Sequence, residues 1–136
     1  MTDPAAGASL RLIRADELSA ATAQTSGMIR SAAISGDLTG ARSLWMGRTE
    51  LPPGVSSGNH HHGESETGIF VVSGRPVFIC RDPVTGELTR LEPEPGDYVW
   101  VPPHVPHREE NPAAEPAVVV IARSTQEAIV VNLDDL

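Results

Sequence analysis

Glycine and proline occur twelve times each in 136 residues, and they cut the chain into short runs rich in Val, Ile and Leu. Proline lacks the N–H that a helix interior or central strand needs, and glycine loses the most backbone entropy in any regular element. Short β-branched runs between such residues are the pattern of an all-β fold with many strands. Strands are expected over residues 10–14, 28–34, 43–51, 57–62, 69–73, 76–81, 87–92, 98–101, 105–109, 117–123 and 128–133. One short N-terminal helix is expected over 15–24, with Asp16 and Glu17 in its first turn, where negative charge is favourable. Pro52-Pro53-Gly54 ends one strand, Ser73-Gly74-Arg75 reads as a tight hairpin, 82–86 as a longer one, and 93–97 breaks the chain before Tyr98. About ten strands in a domain of this size must close into a barrel or a sandwich to protect their edges.

The length predicts a single domain over 10–136, preceded by a flexible terminus over 1–9. The runs Val118–Ile121 and 129–131 are apolar without alternation, which implies strands covered on both faces by another layer or another subunit. Two-fold assemblies are the commonest oligomers, so a homodimer is the expected state. The net charge of −8 comes with no lysine or arginine cluster, which excludes a nucleic-acid surface built on phosphate neutralisation. A lone Cys80, inside an apolar run, permits no intramolecular disulfide and reads as packing. The terminus lacks the layout of a secretion signal and no stretch is apolar for a membrane's thickness, so the expected location is the cytoplasm.

Three of the five histidines are consecutive, His60-His61-His62, with Glu64 and Glu66 close behind; His104 and His107 follow among prolines. Imidazoles and carboxylates at short spacing are what a transition-metal ion requires. On a strand His60 and His62 share one face and His61 takes the other. His107 arrives from a separate segment stiffened by Pro102, Pro103 and Pro106.

At these residues the chain resembles the cupins. Their first motif is a Gly, five residues, His-x-His, three or four residues, Glu, about six residues and a Gly. Here Gly54 is followed after five residues by His60-His61-His62, then after three by Glu66, then after seven by Gly74. The second motif reads Gly96, five residues, Pro102, one residue, His104, two residues, His107, three residues, Asn111. His104 stands where the family has Gly. Counted back from Gly74, Thr67 occupies the carboxylate position; a bulge near Gly68 would restore Glu66, and Glu64 is a further substitute. The resemblance implies a double-stranded β-helix, or jelly-roll, barrel. It also implies a metal site of His60, His62, Glu66 and His107, with His61 and His104 outside the ligand set and Asn111 bonded to local backbone.

Such a set implies one divalent transition metal per chain, Fe, Mn or Ni first and Zn, Co or Cu also accommodated, with open positions for a small-molecule ligand or substrate. Because the imidazoles must be neutral, occupancy is expected to fall below about pH 6.5. The resemblance implies a metal-dependent enzyme, dioxygenase-like before isomerase or lyase, and as the alternative a non-catalytic module that binds a small metabolite. Trp45, Phe70, Tyr98 and Trp100 lie on expected strands and serve core packing or a cavity wall. Arg48 or Arg123, if turned inward, would favour a carboxylate-bearing ligand through paired hydrogen bonds.

Overall fold

Ten strands form two five-stranded sheets in the computed structural model, which describes residues 9–125 and 129–136. The terminus expected to be flexible, 1–9, lies outside the described residues except for Ser9, and so does Ala128, the first residue of the last expected strand. The strands are β1 Ile29–Ile34, β2 Trp45–Leu51, β3 Asn59–His61, β4 Thr67–Ser73, β5 Val77–Arg81, β6 Leu88–Leu91, β7 Tyr98–Val101, β8 His107–Glu110, β9 Ala117–Arg123 and β10 Val131–Leu133. One sheet runs β1-β2-β9-β4-β7 and the other β10-β3-β8-β5-β6, with every pairing antiparallel. No helix among the described residues is long and apolar enough to cross a membrane.

Three expectations are corrected. The helix over 15–24 is only a 3-10 turn, Ala15–Glu17. The segment carries no apolar stripe to bury, and the free edge of β1 competes for its backbone: Ser19 and Ala32 exchange N–H···O bonds of 2.9 and 2.7 Å. The Gln24 side chain bonds both the N–H and the carbonyl of Arg30 at 2.9 Å. Residues 10–14 form no strand. Ser73-Gly74-Arg75 is not a hairpin, because β4 pairs with β7 and β9 while β5 lies in the other sheet. Gly74, at φ +83°, carries the chain across; a Cβ there would meet Ala117 Cα at 2.6 Å. The loop over 82–86 is a hairpin, with Asp82 Oδ1 accepting from the backbone N–H of Val84 and Thr85. A four-residue helix, Gly36–Thr39, sits in the β1–β2 connection, capped by the Ser35 hydroxyl and ended by Gly40 in the left-handed conformation.

Residues paired across a sheet face the same side, so the register defines the interior. In the first sheet one inward rung is Trp45–Arg123–Thr67–Val101. The next is Ala32–Gly47–Ile121–Ile69–Val99 and the third Arg30–Thr49–Val119–Val71. The core is this apolar middle rung together with Trp45 and Val101 of the first, Val71 and Val119 of the third, and Phe78 opposite. The Trp45 ring passes over Gly47, where a Cβ would sit 2.5 Å from the indole. In the facing sheet His60, His107 and Cys80 form one rung, and Glu109 with Phe78 another. On the outer face of the first sheet Tyr98 and Trp100 are largely exposed, with Phe70 against Tyr98 at 4.9 Å. Val118 and Val120 are only half-buried there, so no second layer among the described residues covers that run.

Candidate metal centre

His60, His62 and His107 are brought together inside the barrel, all three buried. Their candidate ligand atoms lie within 4.8 Å of one another, and the ring centroids are 4.4–5.1 Å apart. Alternation does this at β3, where His60 on the strand and His62 just beyond its end turn inward and His61 outward. The third imidazole comes across the β3–β8 pairing, in which His60 and His107 are direct partners. His61 is half-buried, its Nδ1 accepting from the Gly63 N–H, with its ring 6.0 Å from that of His104. His104 holds φ +64° and donates its backbone N–H to Gly63 at 2.8 Å. That left-handed backbone is why glycine suits this position in the motif. Asn111 is buried and donates to Leu51, Pro52 and Glu115 carbonyls, bonding local backbone as expected.

Backbone carbonyls fix the tautomer of each imidazole. Nδ1 of His60 faces Gly58 O at 2.8 Å, that of His62 faces Ile129 O at 2.8 Å, and that of His107 faces Val105 O at 3.0 Å. A carbonyl only accepts, so each Nδ1 carries the proton and each Nε2 presents a lone pair. This is the outer support that orients histidine ligands around a metal. The Nε2 of His107 is buried without a hydrogen-bond partner. The divalent metal implied by the motif therefore finds three pre-oriented nitrogen donors, and the cluster fits such an ion.

Glu66 does not join them. Its side chain is exposed, while its backbone N–H donates to Ser124 Oγ at 3.0 Å. Ser65 and Thr67 turn inward on either side of it. The register irregularity in β4 falls between Val71 and Ser73, not near Gly68, so nothing rotates Glu66 inward. Thr67 holds the position facing the cavity, with a buried hydroxyl that has no partner. Glu64 is also exposed.

The buried carboxylate is Glu109, two residues beyond His107 on the same face of β8. Its Oε2 lies 3.5 Å from His60 Nε2 and its Oε1 3.7 Å from His107 Nε2. Ser57 donates to it at 3.3 Å. Two carboxylate oxygens thus face two imidazole lone pairs, an arrangement of acceptors against acceptors that a cation relieves. Burial works to raise the Glu109 carboxyl, but Arg30, the Ser57 hydrogen bond and the attraction of His107 and His60 whenever they are protonated outweigh it and hold the group below its ordinary range. Glu109 was legible only as the inward partner of His107 at a period of two.

Two arginines complete the interior. Arg30 is buried, donates to Thr25 Oγ1 at 2.8 Å, and approaches His60 Nε2 at 3.3 Å. Arg123 is 1% exposed and stacks over Trp45 at 4.7 Å, while Arg48 points to solvent.

Burial, with a smaller contribution from neighbouring His107 and Arg30 against the opposing Glu109, pushes the His60 imidazole down to about 4. Burial, Arg123 and His107 push His62 lower still. Both pKa values lie below the unfolded 6.5, so between there and about 4 the unfolded chain binds protons that the folded chain does not. Stability from these groups is complete above 6.5 and is lost as pH falls. Denaturant titrations of chelator-treated protein should show a loss of about 2 kcal/mol per buried histidine between pH 7 and 5. A flat profile across that window would contradict their neutral burial. The same burial modifies the expected metal dependence, because His60 and His62 hold no proton to displace until well below 6.5.

A half-open apolar pocket of about 60 Å³ reaches the centre from the side of β5 and β7, lined by Phe78, Cys80, Trp100, Val101 and Val105 and ending at His107. Cys80 is half-buried in this wall, its sulfur 2.9 Å from Thr89 Oγ1.

No curated protein matches the chain by sequence. Among solved structures it resembles Peruvianin-I, a cysteine peptidase from Thevetia peruviana latex, with TM-score 0.72 and 17% identity over 81% of this chain and 69% of that one. It also resembles the oxalate decarboxylase of Bacillus subtilis, with TM-score 0.71 and 20% identity over 81% of this chain. For the Lactobacillus farciminis oxalate decarboxylase the values are 0.72 and 17% over 82% of this chain. The chain spans only 28% and 32% of the two decarboxylases. These likenesses share the fold. The family model described as Cupin domain matches residues 47–123, more than half of the chain, and takes in both histidine motifs and the rungs that carry them: the protein belongs to the cupin family.

Proposed function

We propose that this cupin is a metal-dependent enzyme acting on a small organic molecule, with His60, His62 and His107 as nitrogen ligands and Glu109, not Glu66, as the carboxylate donor. The observation that carries the reading is the common orientation of the three imidazoles, each Nδ1 committed to a carbonyl and each Nε2 left to face a shared ion, that of His60 in competition with Arg30. Fe, Mn and Ni suit mixed nitrogen and oxygen ligation with open positions. The oxalate decarboxylase of Bacillus subtilis has Mn(II) centres.

When bound, such a metal supplies Lewis acidity or a redox-active centre for dioxygen. The chain's own residues supply the rest. Gly58, Val105 and Ile129 carbonyls hold the imidazoles in one orientation. Glu109 offsets positive charge beside them, and the apolar pocket admits a small ligand while limiting water. Dioxygenase-like chemistry is the first reaction class this family membership suggests, ahead of isomerase or lyase chemistry. The test is oxygen consumption by iron-, manganese- and nickel-loaded protein across a panel of small organic acids and phenols. Uptake matched to substrate loss supports the reading; no uptake with any metal and substrate removes dioxygenase chemistry.

A second reading has its own observation. Arg30 already donates to His60 Nε2 at 3.3 Å, which ties one lone pair without a metal and makes the barrel a cationic receptacle for a small anion. That binding module would hold ligand with no metal bound and convert nothing.

A further inference from the structure

Among the described residues Arg123 has no hydrogen-bond partner, and the attraction of Glu109 is outweighed by burial and by repulsion from Arg30. The residue is 1% exposed, and Nε, Nη1 and Nη2 are all buried without a hydrogen-bond acceptor among the described residues. Its contact within the barrel is the face of Trp45, 4.7 Å from the guanidinium carbon. Trp45 and Thr67 are its cross-strand neighbours on the innermost rung, and the Thr67 hydroxyl is likewise buried and unpaired. Desolvating a guanidinium with nothing to accept its five N–H groups is among the most costly arrangements a fold can hold. Arg30, the other buried cation, is different: it bonds Thr25 and His60.

The interior also has unequal charge. Among the described residues Arg30 and Arg123 contribute two positive charges to it and Glu109 one negative. A divalent metal would deepen the excess. Arg123 shares its rung with Thr67 and Val101, and Val101 lines the pocket that ends at His107, so Arg123 lies on the side of the barrel that faces the metal centre while remaining outside the ligand set.

We infer that Arg123 is the anchor for a carboxylate group on the ligand, gripping its two oxygens through paired N–H donors, with the Thr67 hydroxyl as an adjoining donor. The guanidinium fork matches the carboxylate plane, and Trp45 stacked on its face fixes the direction of the fork. The ligand class is therefore a small organic carboxylate, seated between Arg123 and the histidines, its remaining atoms toward the apolar pocket by His107. This deepens the proposed function by naming its substrate class and rests on that reading for the neighbouring metal, although the anion site needs only the arginine.

The test is calorimetric titration with acetate, malonate, succinate and benzoate, and with acetamide and benzamide as uncharged isosteres, in buffer free of carboxylate and phosphate. It is run on chelator-treated and metal-loaded protein, with wild type compared to Arg123→Met and Arg123→Lys. At least one carboxylate should bind while its amide does not, and Arg123→Met should weaken it about 100-fold, with Arg123→Lys in between. The methionine variant should also melt no lower than wild type without ligand, because it removes an unpaired buried charge while keeping contact with Trp45. A structural arginine would show the reverse, a clear loss of stability with affinity unchanged. Equal binding of amide and carboxylate, or no binding of any carboxylate by wild type, overturns the assignment. If the protein takes up no metal yet binds a carboxylate through Arg123, the metal reading fails and this one stands. If it takes up metal and is indifferent to Arg123→Met, the outcome is the opposite.

Discussion

His107→Ala should lose metal affinity by well over about 100-fold, more than the 10- to 100-fold that outer supports of a metal ligand command. The Nε2 of His107 is buried with no hydrogen-bond partner among the described residues, so it is left for an ion. Alanine leaves two imidazoles, and one of these, His60, is contested by Arg30 at 3.3 Å. His62→Ala should behave the same way, and each variant should lose some stability because a backbone carbonyl, Ile129 or Val105, loses its donor. His61→Ala should bind metal like wild type, since His61 faces the other way and bonds the Gly63 N–H. Equilibrium dialysis with elemental analysis reads all three, and circular dichroism confirms that each variant is folded. Full retention of metal by both His62→Ala and His107→Ala would dissolve the ligand assignment.

Glu109→Gln should weaken metal binding by about 10- to 100-fold, whereas Glu66→Gln should leave it unchanged. Glutamine keeps the shape of the side chain and can still accept from Ser57. What it loses is the negative charge lying 3.5 and 3.7 Å from the two Nε2 atoms. The variant should also lose a few kcal/mol of stability in denaturant titrations, of the order seen when one member of a buried charge group is removed, because the charge of Arg30 is then uncompensated. Glu66 is exposed, and removing its charge leaves the interior field as it was. A greater metal loss from Glu66→Gln than from Glu109→Gln would reverse the two roles.

The contrast between those carboxylates shows what the sequence could and could not reveal. A period of two along a strand placed His60 and His62 together and put His61 outside, and the structure agrees. The second motif delivered His107 for the same reason, since its prolines and the left-handed turn at His104 set where β8 begins. Glu66 was misplaced because the link from His62 to β4 is irregular chain, where alternation does not apply. Its geometry follows from Ser65 N–H bonding His62 O at 3.1 Å and from Ser124 holding the Glu66 backbone on both sides. Thr67, the first residue of β4, turns inward in step with Ile69 and Val71. Glu109 and Arg30 were hidden by a different effect. Charged residues on short strands are ordinarily solvated, and only the cross-strand register shows that both face inward. Arg123 could be read only conditionally, because its strand is apolar on both faces and its sequence does not distinguish in from out. The short helix failed for an energetic reason: the edge of β1 offered residues 19–25 better hydrogen bonds than an isolated helix without a buried face.

The most direct test of the account is the metal content of untagged protein purified from its own cells and measured by elemental analysis, with His60→Ala/His62→Ala/His107→Ala protein prepared alongside. The account predicts about one equivalent of a divalent transition ion per wild-type chain and none in the triple variant. Wild-type protein that arrives empty and takes up no Mn, Fe, Co, Ni, Cu or Zn on incubation, or a triple variant that holds as much as wild type, would contradict it.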